Sequence, residues 1–330
     1  MIKLNLGRAL ALSAAAMLAL TACGGESDAQ DIKEGEAGLT KITIATVGSD
    51  SGSQAFYAEN QGFFEKQGLD VTVSIVANVP ELAAAVESGD AEFALTSPTS
   101  IASAFAAGLD FKIVAGGAIY SKDNPGVWVM LPTNSDVSDT QQLGGKTVAV
   151  NALNTMPHLS TLATLDDAGV DIAKVDFVTL GFAEVGQALE SNQIDAATVT
   201  APFNYQIETD GIGSTLLSPY DAVNDGKDFY NTIWFGSDKY IKANPEVVRK
   251  FQAAFKETNA WANDPANQEE RKLILQKNTS LTDATLKDMQ LLQFGDEATE
   301  TMIQPVIDIM DRFKVLPKPV TTTDIIANLN

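Results

Sequence analysis

Apolar and polar positions along this chain follow three rhythms. From Ala9 to Leu20 they do not alternate: "ALALSAAAMLAL" is one apolar run broken only by Ser13. From Lys41 the period becomes two. Ile42 and Ile44 are set against Thr43 in "KITIATVG", and "VTVSIV" (71–76) alternates cleanly, as strands with one buried face do. Between them "SQAFYAENQGFF" has helical spacing and ends near Gly62. Asn78, two residues before Pro80 and three before Glu81, opens a further helix through Val86 to Gly89. Strand "EFAL", helix "PTSIASAFAAG" and strand "FKIVAG" follow. After "GVWVML" the rhythm restarts with strand "KTVAV", helix "PHLSTLATLDDAG", strand "DFVTL", helix "AEVGQALES" and strand "AATV". From Pro245 onward the pattern is helical alone. There Val247, Val248, Phe251, Ala254, Phe255 and Trp261 recur at helical spacing, which reads as core rather than ligand cage. Strands alternating with helices predict an α/β fold of mostly parallel sheets.

The rhythm also repeats itself. "AVESGDAEFALTSP" (85–98) lines up with "ALESNQIDAATVTAP" (188–202). Ala85, Glu87, Ser88, Glu92 and Ala94 match Ala188, Glu190, Ser191, Asp195 and Ala197, and Pro98 meets Pro202 after one extra residue. Both copies occupy the same point in the strand and helix order, so they read as equivalent corners of two similar lobes.

The first rhythm has a different meaning. Lys3 and Arg8 precede the apolar run without any acid, the layout of a secretory signal over residues 1–22. "LTAC" resembles a bacterial lipobox, which implies cleavage before Cys23 and lipidation of its sulfur. Residues 23–39, Gly-, Glu- and Asp-rich, read as a flexible lipid-anchored tether. Cys23 is the only cysteine, so no disulfide supports the mature chain and its core must suffice. The net charge of −21 becomes −23 once Lys3 and Arg8 leave with the signal. Such a surface repels nucleic acid and suits a dispersed, exported protein.

Ligands of open parallel sheets bind beyond the carboxyl ends of the strands, where helix N-termini present free N–H groups. This chain places small hydroxyl and amide residues at several such corners. They are Ser49, Asp50, Ser51 and Ser53 after the first strand, Thr96 and Ser97 after "EFAL", and Asn154 and Thr155 ahead of Pro157. Taken singly, each reads by type as a helix cap before it reads as a ligand contact; it is the convergence of four such corners that points to a ligand. The lone His158 is either a ligand donor or a satisfied polar residue, and Asp50 and Glu184 either meet a ligand ammonium or cap helices. Signatures of catalysis are sparse. There is no Cys/His metal spacing and no phosphate loop with its lysine, and "GSDSG" puts Asp50 where a nucleophile elbow needs serine. The expectation is a non-enzyme with no cofactor and no bound metal.

"KITIATVGSDSGSQAFYAENQGFFEKQGLDVTV", and within it "QGFFEKQGLDV", resembles the opening of solute-binding proteins of the nitrate, sulfonate, taurine and thiamine-pyrimidine transporter group. "ALESNQIDAATVTAP" resembles their second-lobe motif. The resemblance implies a two-lobed periplasmic-binding-protein type II fold. Lobe I would take residues 40–127 and 235–330 and lobe II residues 128–234, with crossings near "PGVWVMLP" and "NTIWFGSD". It further implies a monomer that clamps a small polar or anionic solute between lobes. The solute then passes to the membrane subunits of an ABC permease, outside the cell membrane or in the periplasm. Carried over by position, the cleft residues are the Ser49–Ser53 loop, the "TSP" corner, the "NTMPH" corner, and Thr200 and Pro202 of the "TAP" corner. Many relatives have tryptophan where this chain has Thr200. With no arginine in the four corners, anion capture falls to N–H groups and hydroxyls, which suits a sulfonate. Two alternatives share the resemblance: a pyrimidine-synthase-like enzyme, whose "CCCFC" stretch is absent here, and a receptor presenting ligand to a membrane sensor.

Overall fold

A computed structural model describes residues 38–76 and 79–329. The expected signal, Cys23, most of the tether and the Asn78 helix start lie outside the described residues. In β1 (Thr40–Val47) Ile42 and Ile44 are buried and Lys41 is exposed, as alternation requires. The chain continues through α1 (Gln54–Asn60) and α2 (Phe63–Lys66) to β2 (Leu69–Val76). The helix expected to end near Gly62 does so: α1 stops at Asn60, and Gly62, whose φ of 69° is left-handed, turns the chain into α2. Next come α3 (Val79–Ser88), β3 (Phe93–Thr96), α4 (Pro98–Ala106) and β4 (Phe111–Gly116). The chain then leaves through β5 (Ala118–Tyr120) and builds a second unit from β6 (Val127–Pro132), β7 (Thr147–Val150), α5 (Met156–Asp167) and β8 (Asp176–Thr179). That unit is completed by α6 (Phe182–Glu190), β9 (Ala196–Thr200), α7 (Phe203–Thr209) and β10 (Gly213–Leu217). It returns through β11 (Phe229–Tyr230) to β12 (Ile233–Ser237). The remaining elements are α8 (Asp238–Ala243), α9 (Pro245–Ala262), α10 (Gln268–Asn278), α11 (Asp283–Asp288), β13 (Gln293–Phe294), α12 (Glu300–Arg312) and α13 (Thr322–Ile325).

The two large sheets have one topology. The first runs β2-β1-β3-β12-β4 and the second β8-β7-β9-β6-β10. In each, three parallel strands are followed by one antiparallel strand, β12 or β6, which is the first strand laid down after the chain passes between sheets. The expected crossings "PGVWVMLP" and "NTIWFGSD" are therefore these sheet strands, and the passage lies just upstream of each, in β5 and β11. One expectation is corrected: the region beyond Pro245 is not helical alone. Gln293 and Phe294 form β13 because a third small sheet, β11-β5-β13, supplies their backbone partners. A two-residue strand leaves no periodicity to read.

The helical stripe of α9 packs as its spacing predicts. Val247, Val248, Phe251, Ala254 and Phe255 are buried against the first sheet, with Phe251 and Phe255 4.3 Å apart and Trp234 4.9 Å from Phe255. Each fully buried side chain of this size contributes roughly 1.5–3 kcal/mol. Around the small sheet the backbones come unusually close. A Cβ on Gly116 would sit 2.3 Å from the Tyr230 hydroxyl and 2.5 Å from the Gly295 carbonyl, so only glycine fits. Tyr230 donates to the Glu297 carbonyl at 2.7 Å, and Tyr120 stacks on Phe229 at 4.8 Å while donating to Asp221. α12 covers this joint. Its Ile303, Val306 and Met310 share one apolar cluster with Ile101 of α4 and Met156 and Leu159 of α5, joining elements of both units. Among the described residues no helix is long and apolar enough to cross a membrane.

Candidate functional site

The parallel, adjacent pairs β1/β3 and β7/β9 send four carboxyl-end corners outward, two per sheet. The repeat seen in the sequence has a structural counterpart just below them. Glu92 Oε2 accepts the Thr43 amide of β1 at 2.6 Å, and Asp195 Oδ2 accepts the Thr147 amide of β7 at 2.9 Å. The backbone bonds beside them also match, Glu92 N to Thr43 O and Asp195 N to Thr147 O, each at 2.9 Å. The residues turning out of α3 and α6, Gly89 and Asn192, are both left-handed.

After β1 a 3-10 turn over Asp50–Gly52 leads into α1. A Cβ on Gly52 would lie 2.4 Å from the Val47 carbonyl, so this turn also needs glycine. Ser49 and Ser51 are half-buried, with hydroxyls 2.9 Å apart. Ser53 is buried and donates to the Asp50 carbonyl at 2.7 Å. Asp50 itself points inward. It is 1% exposed, its Oδ2 accepts the Leu292 amide at 2.6 Å, and its Oδ1 stands 3.9 Å from the equally buried Arg271 guanidinium. Burial pushes its carboxyl above the ordinary value, opposed by Arg271, the Leu292 amide and Ser53. The carboxylate expected to meet a ligand is thus committed to the protein.

After β3, Thr96 is buried and Ser97 caps α4 by accepting the Ser100 amide at 3.3 Å. The Ser97 hydroxyl also lies 2.7 Å from Thr99 Oγ1 and 3.0 Å from Ser100 Oγ, so three hydroxyls converge.

After β7, Asn154 is left-handed with φ 62°, and its amide donates to Nδ1 of His158 at 3.0 Å. The neutral ring therefore carries its proton on Nε2. His158 is buried edge-on against Phe177 at 4.9 Å, and burial lowers its pKa. Thr155 takes the N-cap position of α5 but sends its hydroxyl to the Ala152 carbonyl at 2.8 Å and to Asn151 at 3.1 Å, so no side chain caps the first turn. After β8, exposed Glu184 accepts the Gly181 amide at 2.9 Å and closes the start of α6. After β9, half-buried Thr200 ends the strand and Pro202, joined by a cis peptide to Ala201, precedes α7, which has no side-chain cap.

Several residues at these corners went unread in the sequence. Phe182 and Phe203, 5.5 Å apart, flank the β9 corner where Thr200 lacks an aromatic ring, and Trp128 meets Tyr205 at 5.7 Å. Phe203 directly follows the "TAP" motif and was a legible candidate. Arg271 was not, because "QEERKLILQKN" reads as an ordinary polar helix.

A family profile described as "NMT1/THI5 like" matches residues 53–269. The taurine-binding periplasmic protein of Escherichia coli (strain K12) is 24% identical over 242 residues, covering 70% of this chain and 72% of the relative. Two solved structures share the fold. The periplasmic aliphatic sulphonate binding protein SsuA of Escherichia coli superposes with a TM-score of 0.72 at 18% identity, over 87% of this chain and 97% of that one. The periplasmic nitrate-binding protein NrtA of Synechocystis PCC 6803 gives 0.68 at 15% identity, over 86% and 84%.

Proposed function

The chain belongs to the NMT1/THI5-like family, and from that premise we propose that it is the extracytoplasmic substrate-binding protein of an ABC importer. Its solute is a small anionic or polar organic molecule of the sulfonate, taurine or nitrate class. The observation that carries this reading is the pair of matched sheets, each with two adjacent parallel strands that end in loops bearing hydroxyl and amide side chains. Lobe I is then built on the β2-β1-β3-β12-β4 sheet and lobe II on the β8-β7-β9-β6-β10 sheet, which moves the expected bounds at 127/128 and 234/235 to the start of β6 and of β12. Ligand contacts to both favour a closed form, which docks on the permease. The uncapped first turn of α5 offers N–H donors to an anion, and the hydroxyls of Ser49, Ser51, Ser97 and Thr155 at the corners would add further contacts once the lobes close. Phe182 and Phe203 supply an apolar wall. Asp50 and Glu184 support their loops rather than touch ligand. The protein performs no bond chemistry and needs no cofactor.

Cys23 anchors this monomer by its lipid to the outer face of the membrane. A Cys23→Ser form is expected in the soluble fraction with its fold intact, and its retention on membranes would refute the anchor. The ligand class is tested by a thermal-shift screen of the protein against taurine, alkanesulfonates, nitrate and pyrimidine precursors. A ligand at a hundredfold excess over Kd adds about 2.7 kcal/mol of stability. A shift with none of them would remove the ligand assignment and leave the fold.

A further inference from the structure

Residues 290–296 lie between α11 and α12; β13 and the two residues after it pair by backbone with β5 and its neighbours, and side chains hold the rest. Asn259 and Asn263 donate to the Gly295 and Phe294 carbonyls at 3.0 and 2.8 Å. Arg271 donates to the Leu292 carbonyl at 2.6 Å, and Asn124 to that of Leu291 at 2.7 Å. Two further bonds reach the loop after β1 and the helix after β9. Asp50, in the loop after β1, accepts the Leu292 amide at 2.6 Å. Tyr205, one turn beyond the Pro202 corner, accepts the Gln290 amide through its hydroxyl at 3.1 Å. Apolar packing follows the same line, since Ala201 and Tyr205 join Tyr57, Met289, Leu291 and Leu292 in one cluster.

We propose that residues 290–292 are a strap that positions the ligand cleft, tying the first-sheet corner through Asp50 and the second-sheet corner through Tyr205. Tyr205 is its positioning residue on the second lobe. The chain passes between sheets twice, through β5 and β11, and the strap lies beside those passages and the α12 packing as a further connection. Buried polar groups in folded proteins are nearly all paired. Among the described residues the buried side-chain atoms without a partner are the Tyr57 hydroxyl, Asn124 Oδ1, Asn204 Oδ1 and Arg271 Nε. Three of these residues bond or pack against Leu291 or Leu292, and Asn204 adjoins Tyr205. Asn124, Arg271, Gln290 and Leu291 also line a cavity of about 320 Å3. Asn124 and Arg271 thus combine an unpaired polar atom with free volume beside the strap, the arrangement of an element that can exchange partners when the lobes turn.

The strap rests on the two-lobe reading of the site but not on any ligand, and its test uses none. Spin labels on Glu87→Cys and Glu190→Cys, in a full-length Cys23→Ser chain, report the spacing of the two units. Tyr205→Phe, which removes only the hydroxyl, is expected to shift or broaden the distance distribution without lowering the melting temperature appreciably. Gln290→Pro removes the same bond from the other side and is expected to act alike, so misfolding of one variant leaves the other to decide. Distributions superimposable on the parent's in the folded variants would overturn the proposal. A failed ligand screen would leave this result untouched.

Discussion

The corner after β3 and the corner after β9 begin alike and end differently. Upstream, Glu92 and Asp195 receive the amide of the neighbouring strand in the same way, and Gly89 and Asn192 turn the chain in the same conformation. Downstream, Ser97 caps α4 and gathers two more hydroxyls, whereas Ala201 and Pro202 leave α7 uncapped beside the Phe182 and Phe203 rings. The corners after β1 and β7 diverge likewise. One is anchored by a buried carboxylate to the strap, the other by a ring nitrogen to its own loop. What the halves share ties adjacent strands together, and what separates them lies in the loops at the carboxyl ends of those strands. At its corners, then, the first unit spends its polar side chains on caps and a buried ion pair, and the second leaves the first turns of α5 and α7 without a side-chain cap.

Substitutions can break or sharpen this contrast. The largest effect is expected for Asp50→Ala, which leaves Arg271 buried without its charge partner and the Leu292 amide without its acceptor. Loss of a buried partner costs about 3 kcal/mol, read as a lower denaturant midpoint. His158→Ala, the counterpart in the other half, loses only one hydrogen bond and one ring contact, so a loss as large as that of Asp50→Ala would erase the contrast. Glu92→Ala and Asp195→Ala test the shared part. Each removes an acceptor of a strand amide and is expected to cost about 1–2 kcal/mol. The double variant should be additive within about 0.5 kcal/mol, since the sites share no partner. Clearly unequal single losses would argue against equivalence. Ser97→Ala removes a cap worth about 1 kcal/mol, whereas Ala201→Ser, with no cap to remove, should leave stability nearly unchanged.

The smallest effect is a pH dependence. Burial holds the folded-state pKa of His158 below its ordinary 6.5, so the unfolded chain binds more protons in the window beneath that value. The contribution of His158 is present above pH 6.5 and is lost as pH falls toward the folded-state pKa. Comparing the parent with His158→Gln across this window should flatten the slope, and an unchanged slope would show that other groups set it.

The strand and helix order was legible because β1 and α9 carry their burial as period two and period 3.6, whereas β2 alternates in sequence but leaves Ile75 exposed; the duplication was legible as matched residues at Glu92 and Asp195. The role of Asp50 was not. A serine-flanked acid in a glycine loop looks the same in sequence whether it faces a ligand or an arginine, and its partners Arg271 and Leu292 lie more than two hundred residues away. β13 was hidden for a similar reason, since two residues become a strand only by pairing with β5. Thr155 shows the opposite error. It stands at the cap position that its type suggests, yet spends its hydroxyl on Ala152.

Equilibrium dialysis tests the central claim most directly. The protein is equilibrated against taurine, alkanesulfonates, nitrate and pyrimidine precursors, and the retained compound is identified by mass spectrometry. The account expects one compound retained at one molecule per chain and recovered chemically unchanged. Retention of none, or recovery of an altered compound, would contradict it.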